Sequence, residues 1–376
     1  WQFHKVASYL GWDAHNHVEA AFDKNGIIHL VGNMHANPLV YFRSTEPYDP
    51  RTLKQVAVMA KEQDERSMTY PGFFKGPDGR LYFKYRDGTS GQGQWFYNRW
   101  DAETGTWSHL HDTELLDGEG KRGVYPLGPI IGPDGFAHMT FVWRETSRAS
   151  SNHDLSYARS RDLVSWETSE GQAIDLPITL GTGEIIDTVP EHGGLLNGRT
   201  PISFDAEERV LVTYQKYDEH GQTQVYLLRR EAGGWQEKQV SNWENSRVDL
   251  DKSGALYLPI NTSEPAFLNS ENQIVVPASW HGKRWEWILD PSNLSVLSGG
   301  QTDRPLPEQV MQYANDNGIP FRVLPLDAEQ EKPSDEYFLS WEAMPPNRDQ
   351  AREHIPAPST LRVHYVKRNG LAEKEG

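Results

Sequence analysis

The 376-residue chain contains no cysteine, which excludes disulfides, thiol nucleophiles and Cys-ligated zinc. Positive charge is also scarce: 37 Lys+Arg stand against 53 Asp+Glu, a formal net charge of -16. Nucleic acid, whose phosphates need a basic face, is thereby excluded as a partner, and an anionic membrane surface is disfavoured. Long apolar runs are missing as well, since none approaches the roughly 20 residues that span a bilayer. Hydrophobic residues reach only 37% of the chain, which argues against a helical bundle. The sequence opens on Trp1 and is expected to be the processed form of a secreted or periplasmic protein whose signal peptide has been removed.

Aromatic and turn-forming residues are what the chain does have: 13 Trp, 16 Tyr, 32 Gly and 24 Pro. Gly/Pro punctuation around aromatic, β-branched segments points to an all-β protein. Aromatics beside polar groups also suit carbohydrate, whose rings offer C–H faces to stack on and hydroxyls to bond. One phrase recurs, a polar turn ending in Gly and then a short strand. It runs from Asp23 to Gly26 before Ile27–Val31, from Gly76 to Gly79 before Arg80–Tyr85, and from Gly132 to Gly135 before Phe136–Phe141. A further copy runs from Asp251 to Gly254 before Ala255–Leu258, with weaker echoes at Asp205–Glu208 and Ser270–Asn272. These read as hairpin turns feeding half-buried strands. The first three copies lie 53 and 56 residues apart, counted between Gly26, Gly79 and Gly135. That is the length of a four-stranded propeller blade, and division gives about seven blades. An array of β-sandwiches is the competing architecture. Ser160-Arg-Asp162 followed by Trp166 resembles a degenerate Asp-box turn between outer blade strands. The reading is one domain over 1–376, a seven-bladed β-propeller of antiparallel blades. Thr360–Val366 would close its ring on N-terminal sequence, and one short helix is expected near Pro305–Asn315.

Three stretches concentrate chemistry. His15, Asn16 and His17 precede the first repeat strand, and His15 and His17 would share a face if extended. His35 ends the next strand, where a hairpin returns it toward His15. Tyr70 precedes Pro71, and Arg86 ends a repeat strand at the rim where propeller sites form. Further polar residues fall at equivalent rim positions: Arg122, Tyr125, Arg144, His153 and Lys216. Each has a structural reading, as a core or turn histidine, a packed tyrosine or a blade-to-blade ion pair. The histidines could also gather a metal, although no carboxylate stands at an evident ligand spacing beside them.

No phosphate loop, serine elbow or carboxylate pair is evident. A His/Tyr/Arg set suits proton abstraction beside a carboxylate. In a uronate, the C5 hydrogen becomes acidic once the carboxylate is neutralised, and Arg can grip that group with two parallel hydrogen bonds. Tyr or His then takes the proton, and a nearby acid protonates the departing oxygen at C4. Beside Arg86 and a histidine, the Tyr70 phenol is expected to ionise more readily than usual. An acidic protein meeting an anionic polymer must gather positive charge locally, so Arg86, Lys121, Arg122, Arg144 and Lys216 are expected to share one groove.

The stretches Asp13–His17, Gly26–His35, Thr69–Pro71, Val142–Thr146 and Asn152–Ser160 resemble the BNR-repeat seven-bladed propellers active on polysaccharides. That group includes ulvan lyases and rhamnosyl-glucuronate α-L-rhamnosidases. The resemblance covers about the first 230 residues well. The 20-residue spacing of His15 and His35 and the 16-residue spacing of Tyr70 and Arg86 match the lyases' two histidines, tyrosine and arginine. It implies that Tyr70 and His15 are the acid/base pair, while Arg86 and His35 neutralise the uronate carboxylate. It further implies β-elimination next to glucuronate or iduronate in a rhamnose-uronate polymer. Asn16, His17, Arg122, Tyr125, Arg144, His153 and Lys216 would bind substrate. Hydrolysis of terminal rhamnose linked to glucuronate, or non-catalytic sugar binding, are the alternatives. No cofactor is required. A structural metal is allowed without an identifiable ligand set, because the lyases' zinc site uses cysteine. The expected partner is an anionic polysaccharide or oligosaccharide, bound by a monomer.

Overall fold

The computed structural model describes residues 4–6, 13, 15–302, 306–314, 318–326, 335–354 and 356–367. The chain forms two compact units, Trp1–Thr302 and Asp303–Gly376. Turn chemistry organises the first. The Asp23 carboxylate accepts from the backbone N–H of Asn25 and of Ile27, and Gly26 adopts φ +79°. Asp205 does the same for Glu207 and Arg209, and Asn269 for Glu271 and Gln273. At those weaker echoes the left-handed position is held by Glu208 (φ +60°) and Asn272 (φ +58°). A side-chain oxygen that satisfies two turn N–H groups is what lets the echoes dispense with glycine. The copy ending at Gly254 differs, because no strand forms over the expected 255–258.

These turns feed antiparallel meanders. Strands β1 (Val18–Phe22), β2 (Ile28–Gly32), β4 (Tyr41–Arg43) and β5 (Lys54–Val56) make the first, while β3 (His35–Asn37) leaves to pair with the next. Strands β6 (Met68–Lys75), β7 (Leu81–Thr89), β8 (Gln92–Asp101) and β9 (Thr106–His109) make the second. The third comprises β10 (Gly123–Ile131), β11 (Ala137–Arg144), β12 (Asn152–Ser160) and β13 (Trp166–Glu167), with β14 (Ala173–Ile174) and β15 (Glu184–Asp187) added. One parallel pair, Gly123 with Gly93, joins the second and third into a single hydrogen-bonded sheet. The fourth is β16 (Ile202–Phe204), β17 (Val210–Tyr217), β18 (Thr223–Glu231) and β19 (Gly234–Gln239). The fifth is β20 (Ile260–Asn261), β21 (Phe267–Leu268), β22 (Ile274–Trp280), β23 (Lys283–Leu289) and β24 (Val296–Gln301). The result is an all-β propeller. The Asp-box turn stands between β12 and β13 as expected: Asp162 accepts from Val164 and Ser165, and Trp166 is buried with its indole N–H on the Leu163 carbonyl.

The second unit holds one helical turn, α1 (Glu308–Met311), and the antiparallel strands β25 (Phe321–Leu326), β26 (Asp335–Glu342) and β27 (Arg362–Lys367). Helix α1 is shorter than the expected segment, whose first and last residues lie outside those described. The final strand pairs with β26, and most of the N-terminal residues it was expected to meet lie outside those described.

Central blade strands are covered on both faces by neighbouring blades. All eight residues of β11 are buried, including His138 and Thr140. Low hydrophobicity is therefore compatible with a large core, because polar side chains are buried in hydrogen-bonded pairs. His29 and His138 each stand three residues after a turn glycine, and Nδ1 of each meets a tyrosine hydroxyl, Tyr41 at 2.7 Å and Tyr157 at 2.6 Å. Burial pushes His29 down to about 4, against the pull of Asp23. Burial also lowers His138, despite its bond to Asp134. A ring held neutral in the fold but protonated when unfolded stabilises above its unfolded value of 6.5 and loses that contribution as pH falls. For His29 the loss amounts to about 3 kcal/mol by pH 4. Denaturant unfolding should therefore show stability decreasing from pH 6.5 to about 4, with a shallower decrease in His29→Gln.

Candidate active site

The meander registers bring the start of each first strand and the end of each second strand to one side. His35 is opposite Thr69, Thr69 is opposite Arg86, and Arg86 is opposite Trp95, a row crossing β3, β6, β7 and β8. The Thr69 hydroxyl oxygen accepts from the Ala36 N–H at 2.8 Å and from Arg86 Nη2 at 3.0 Å, tying the row together.

Tyr70 follows Thr69 where the register shifts, at φ +55°. A left-handed tyrosine before proline is strained by about 1–3 kcal/mol, and such strain is retained where surrounding contacts over-determine it. Those contacts are rings. Tyr70 lies parallel to Trp95 (6.2 Å, 4°), edge-on to His15 (5.5 Å) and to Tyr125 (6.3 Å), with the Arg86 guanidinium 5.0 Å from its centroid.

The four residues assigned to catalysis, His15, His35, Tyr70 and Arg86, are thus brought together. The His15 and His35 rings stack at 4.0 Å with 24° between planes. Asp13 joins them: one carboxylate oxygen accepts from the His15 backbone N–H (2.8 Å) and Nδ1 (2.6 Å), the other from His35 Nδ1. Burial works against the charged carboxylate, but the three hydrogen bonds win and hold it below its usual range. Asp13 belongs to the Asp13–His17 motif but has no role in the expectation from sequence. The signal was there, a carboxylate two residues before a histidine.

Arg86 is 1% exposed, and no carboxylate among the described residues pairs with it. Nη1 donates to the Tyr125 hydroxyl at 3.3 Å, Nη2 to Thr69, and Nε is buried without a partner. Tyr125 is shared further: its oxygen lies 3.1 Å from Ser90 Oγ, and the Arg144 guanidinium is 5.4 Å from its ring. Two guanidinium groups therefore flank one tyrosine.

The other expected binding residues separate into groups. Asn16 donates its backbone N–H to the Asp13 carbonyl in a turn. His17 and His15 precede β1, so strand alternation does not apply to them. The His17 ring nitrogens instead face the carbonyls of His15 (3.0 Å) and Pro71 (3.3 Å). Arg144 donates to the carbonyls of Thr146, Ser147 and Arg148. Arg122 and His153 converge on Glu145 at 2.5 and 2.9 Å, and these bonds hold that carboxyl low against burial. Lys216 is neutralised by Asp187 and Glu237 on another blade, and exposed Lys121 meets Glu119. The single positive groove is corrected to a pair, Arg86 and Arg144. Carboxylates compensate the other three cations where they stand.

The Tyr70 phenol also departs from expectation. Burial, reinforced by Tyr125, pushes it up to about 12 and outweighs the opposing pull of Arg86 and Arg144. The group is a protonated donor at neutral pH. Asp13, His15 and His35 place ligating atoms within 4.8 Å of one another, a composition that zinc accepts.

An all-β propeller whose rim gathers His, His, Tyr and an uncompensated Arg is a scaffold equipped to handle an anion and a proton together. Residues 1–243 match the model of the BNR repeat-containing family, and the chain belongs to that family. No curated protein matches the chain. Among solved structures it is similar to polysaccharide lyase Uly1, with TM-score 0.60 and 15% identity over 94% of this chain and 78% of that one. It is also similar to a PL25 ulvan lyase bound to -[GlcA(1-4)Rha3S]-, with TM-score 0.57 and 14% identity over 94% and 79%. At these identities the likeness is one of fold. In a Tyr-labelled sample titrated by NMR, the Tyr70 ring should remain un-ionised at pH 10.0, the ordinary phenol value.

Proposed function

We propose that the protein is a polysaccharide lyase that cleaves a rhamnose-uronate polymer by β-elimination beside glucuronate or iduronate. The observation that carries this reading is Arg86, a buried cation with no carboxylate partner among the described residues, 5.0 Å from the Tyr70 ring and in the same cluster as two histidines. Leaving a guanidinium buried and uncompensated costs several kcal/mol, and an anionic substrate group offsets that cost. A uronate carboxylate suits the planar fork.

The chemistry divides among the residues accordingly. Arg86 neutralises the carboxylate and so acidifies the C5 hydrogen. His15, whose Nδ1–H is committed to Asp13, presents Nε2 as the base. Electrons of the C5–H bond form the C4–C5 double bond as the C4–O bond breaks. Tyr70, protonated because burial raises it, donates its proton to the departing oxygen. Hydrolysis by a carboxylate pair finds less support, because Asp13 is occupied by both histidines and Glu145 by Arg122 and His153. The same proposal includes a seven-bladed ring and binding of the polymer along the rim that carries Tyr125 and Arg144. In the described residues of the first unit, five blade-sized meanders are formed.

Incubation with ulvan should release oligosaccharides that carry ultraviolet-absorbing unsaturated uronate ends. Free rhamnose without that absorbance would overturn the lyase reading in favour of a hydrolase. Replacing Tyr70 by Phe removes the proton donor but keeps the ring contacts, so kcat should fall by roughly 10²–10⁴-fold with KM little changed. Arg86→Ala should raise KM as well as lower kcat, and desolvated Arg86→Lys should restore little, since one ammonium cannot reproduce the bidentate grip.

A further inference from the structure

We infer that Asp13 is the positioning residue of this site, a two-sided clamp that fixes the tautomer and the stacking of both His15 and His35 and takes the place of a metal ion. The chemistry it serves is the proposed elimination, but the clamp itself follows from geometry alone. An ionised carboxylate only accepts hydrogen bonds. Because one Asp13 oxygen faces His15 Nδ1 and the other faces His35 Nδ1, both nitrogens must carry their hydrogens. In each neutral ring the lone pair is then on Nε2. The His15 backbone N–H shares the first oxygen, so the carboxylate is itself held in position by the chain it orients.

The same three side chains have the composition of a metal centre, and ring orientation decides between the two readings. Ring nitrogens coordinate along directions lying in the ring plane. A single zinc about 2.1 Å from both Nδ1 atoms would need those directions to converge. Here the planes are 24° from parallel with centroids 4.0 Å apart, a face-to-face stack whose in-plane directions run side by side. Side-by-side N–H groups match the two oxygens of one carboxylate. They do not match one ion.

An amide offers the contrasting case, since Asn has one accepting oxygen and one donating nitrogen. In Asp13→Asn one ring can keep its Nδ1–H while the other must accept at Nδ1 and move its hydrogen to Nε2. The experiment is ¹⁵N NMR of the histidine-labelled full chain, with His15 and His35 assigned through His15→Gln and His35→Gln. The parent should show both rings as Nδ1–H tautomers, and Asp13→Asn should show one of the two switched. On ulvan, kcat of Asp13→Asn should fall by roughly 10²–10⁴-fold with KM nearly unchanged, the pattern of a wrongly protonated base rather than of lost binding. The inference is overturned if either ring is Nε2–H in the parent. It is also overturned if the purified chain carries stoichiometric zinc whose chelation changes both histidine signatures. The parent spectrum alone decides the clamp even should Asp13→Asn not fold. An inactive parent with both rings Nδ1–H would uphold the clamp and remove the lyase reading.

Discussion

A buried guanidinium without a counter-charge is the constraint around which this site is built. Arg86 cannot be stabilised by water, being 1% exposed, so the protein holds it with the Thr69 and Tyr125 oxygens and with the faces of two tyrosines. Those contacts are neutral, and a neutral shell leaves the charge available to a ligand. The requirement propagates outward. Thr69 can reach Arg86 only because β3, β6 and β7 are in register, and Tyr70 can face it only from a left-handed bulge. In a protein with a net charge of -16, Arg86 keeps its charge available because no carboxylate among the described residues pairs with it, while the nearby Asp13 is taken up by two histidines.

The same low-dielectric environment acts on the phenol in the opposite sense. Proximity to Arg86 favours a phenolate, but removal from water penalises it more, and the phenol remains protonated. Charge neighbours can be guessed from sequence, whereas desolvation depends on what covers a side chain. For that reason the Tyr70 phenol is shifted opposite to the direction its charged neighbours suggest. The positive groove is smaller than its count of cations for the same reason. Lys121, Arg122 and Lys216 belong to ion pairs: Glu119 comes from the same turn as Lys121, while Glu145, Asp187 and Glu237 come from other turns and strands.

Blade construction explains why a chain only 37% hydrophobic can bury so much. Strands such as β11 are sandwiched on both faces, and their polar members are satisfied in pairs such as His138 with Tyr157 or Thr140 with Thr200. Two kinds of histidine result. His29 and His138 are neutral struts inside blades, while His15 and His35 are held at the rim by a carboxylate. Residue type alone does not distinguish them.

Much of the architecture was legible because it is local. An Asx turn with a left-handed fourth residue is encoded within five positions, so the all-β class, the hairpins and the Asp-box could be read directly. The spacings of His15, His35, Tyr70 and Arg86 were legible for a related reason: His15 lies just before β1, His35 begins β3, and Tyr70 and Arg86 lie toward the ends of β6 and β7 that the registers bring to one side. What tertiary structure decided was everything that depends on pairing across strands. It turned the last strand onto β26, left residues 255–258 out of a strand, placed Asp13 across the Nδ1 atoms of two rings, and gave Arg86 no acid among the described residues while giving Lys216 two. Sequence determines which groups a turn can hold, because that chemistry acts over a few residues. Only the packed fold determines which charges are dry and which are paired, because burial and electrostatic compensation depend on neighbours that are distant in the chain.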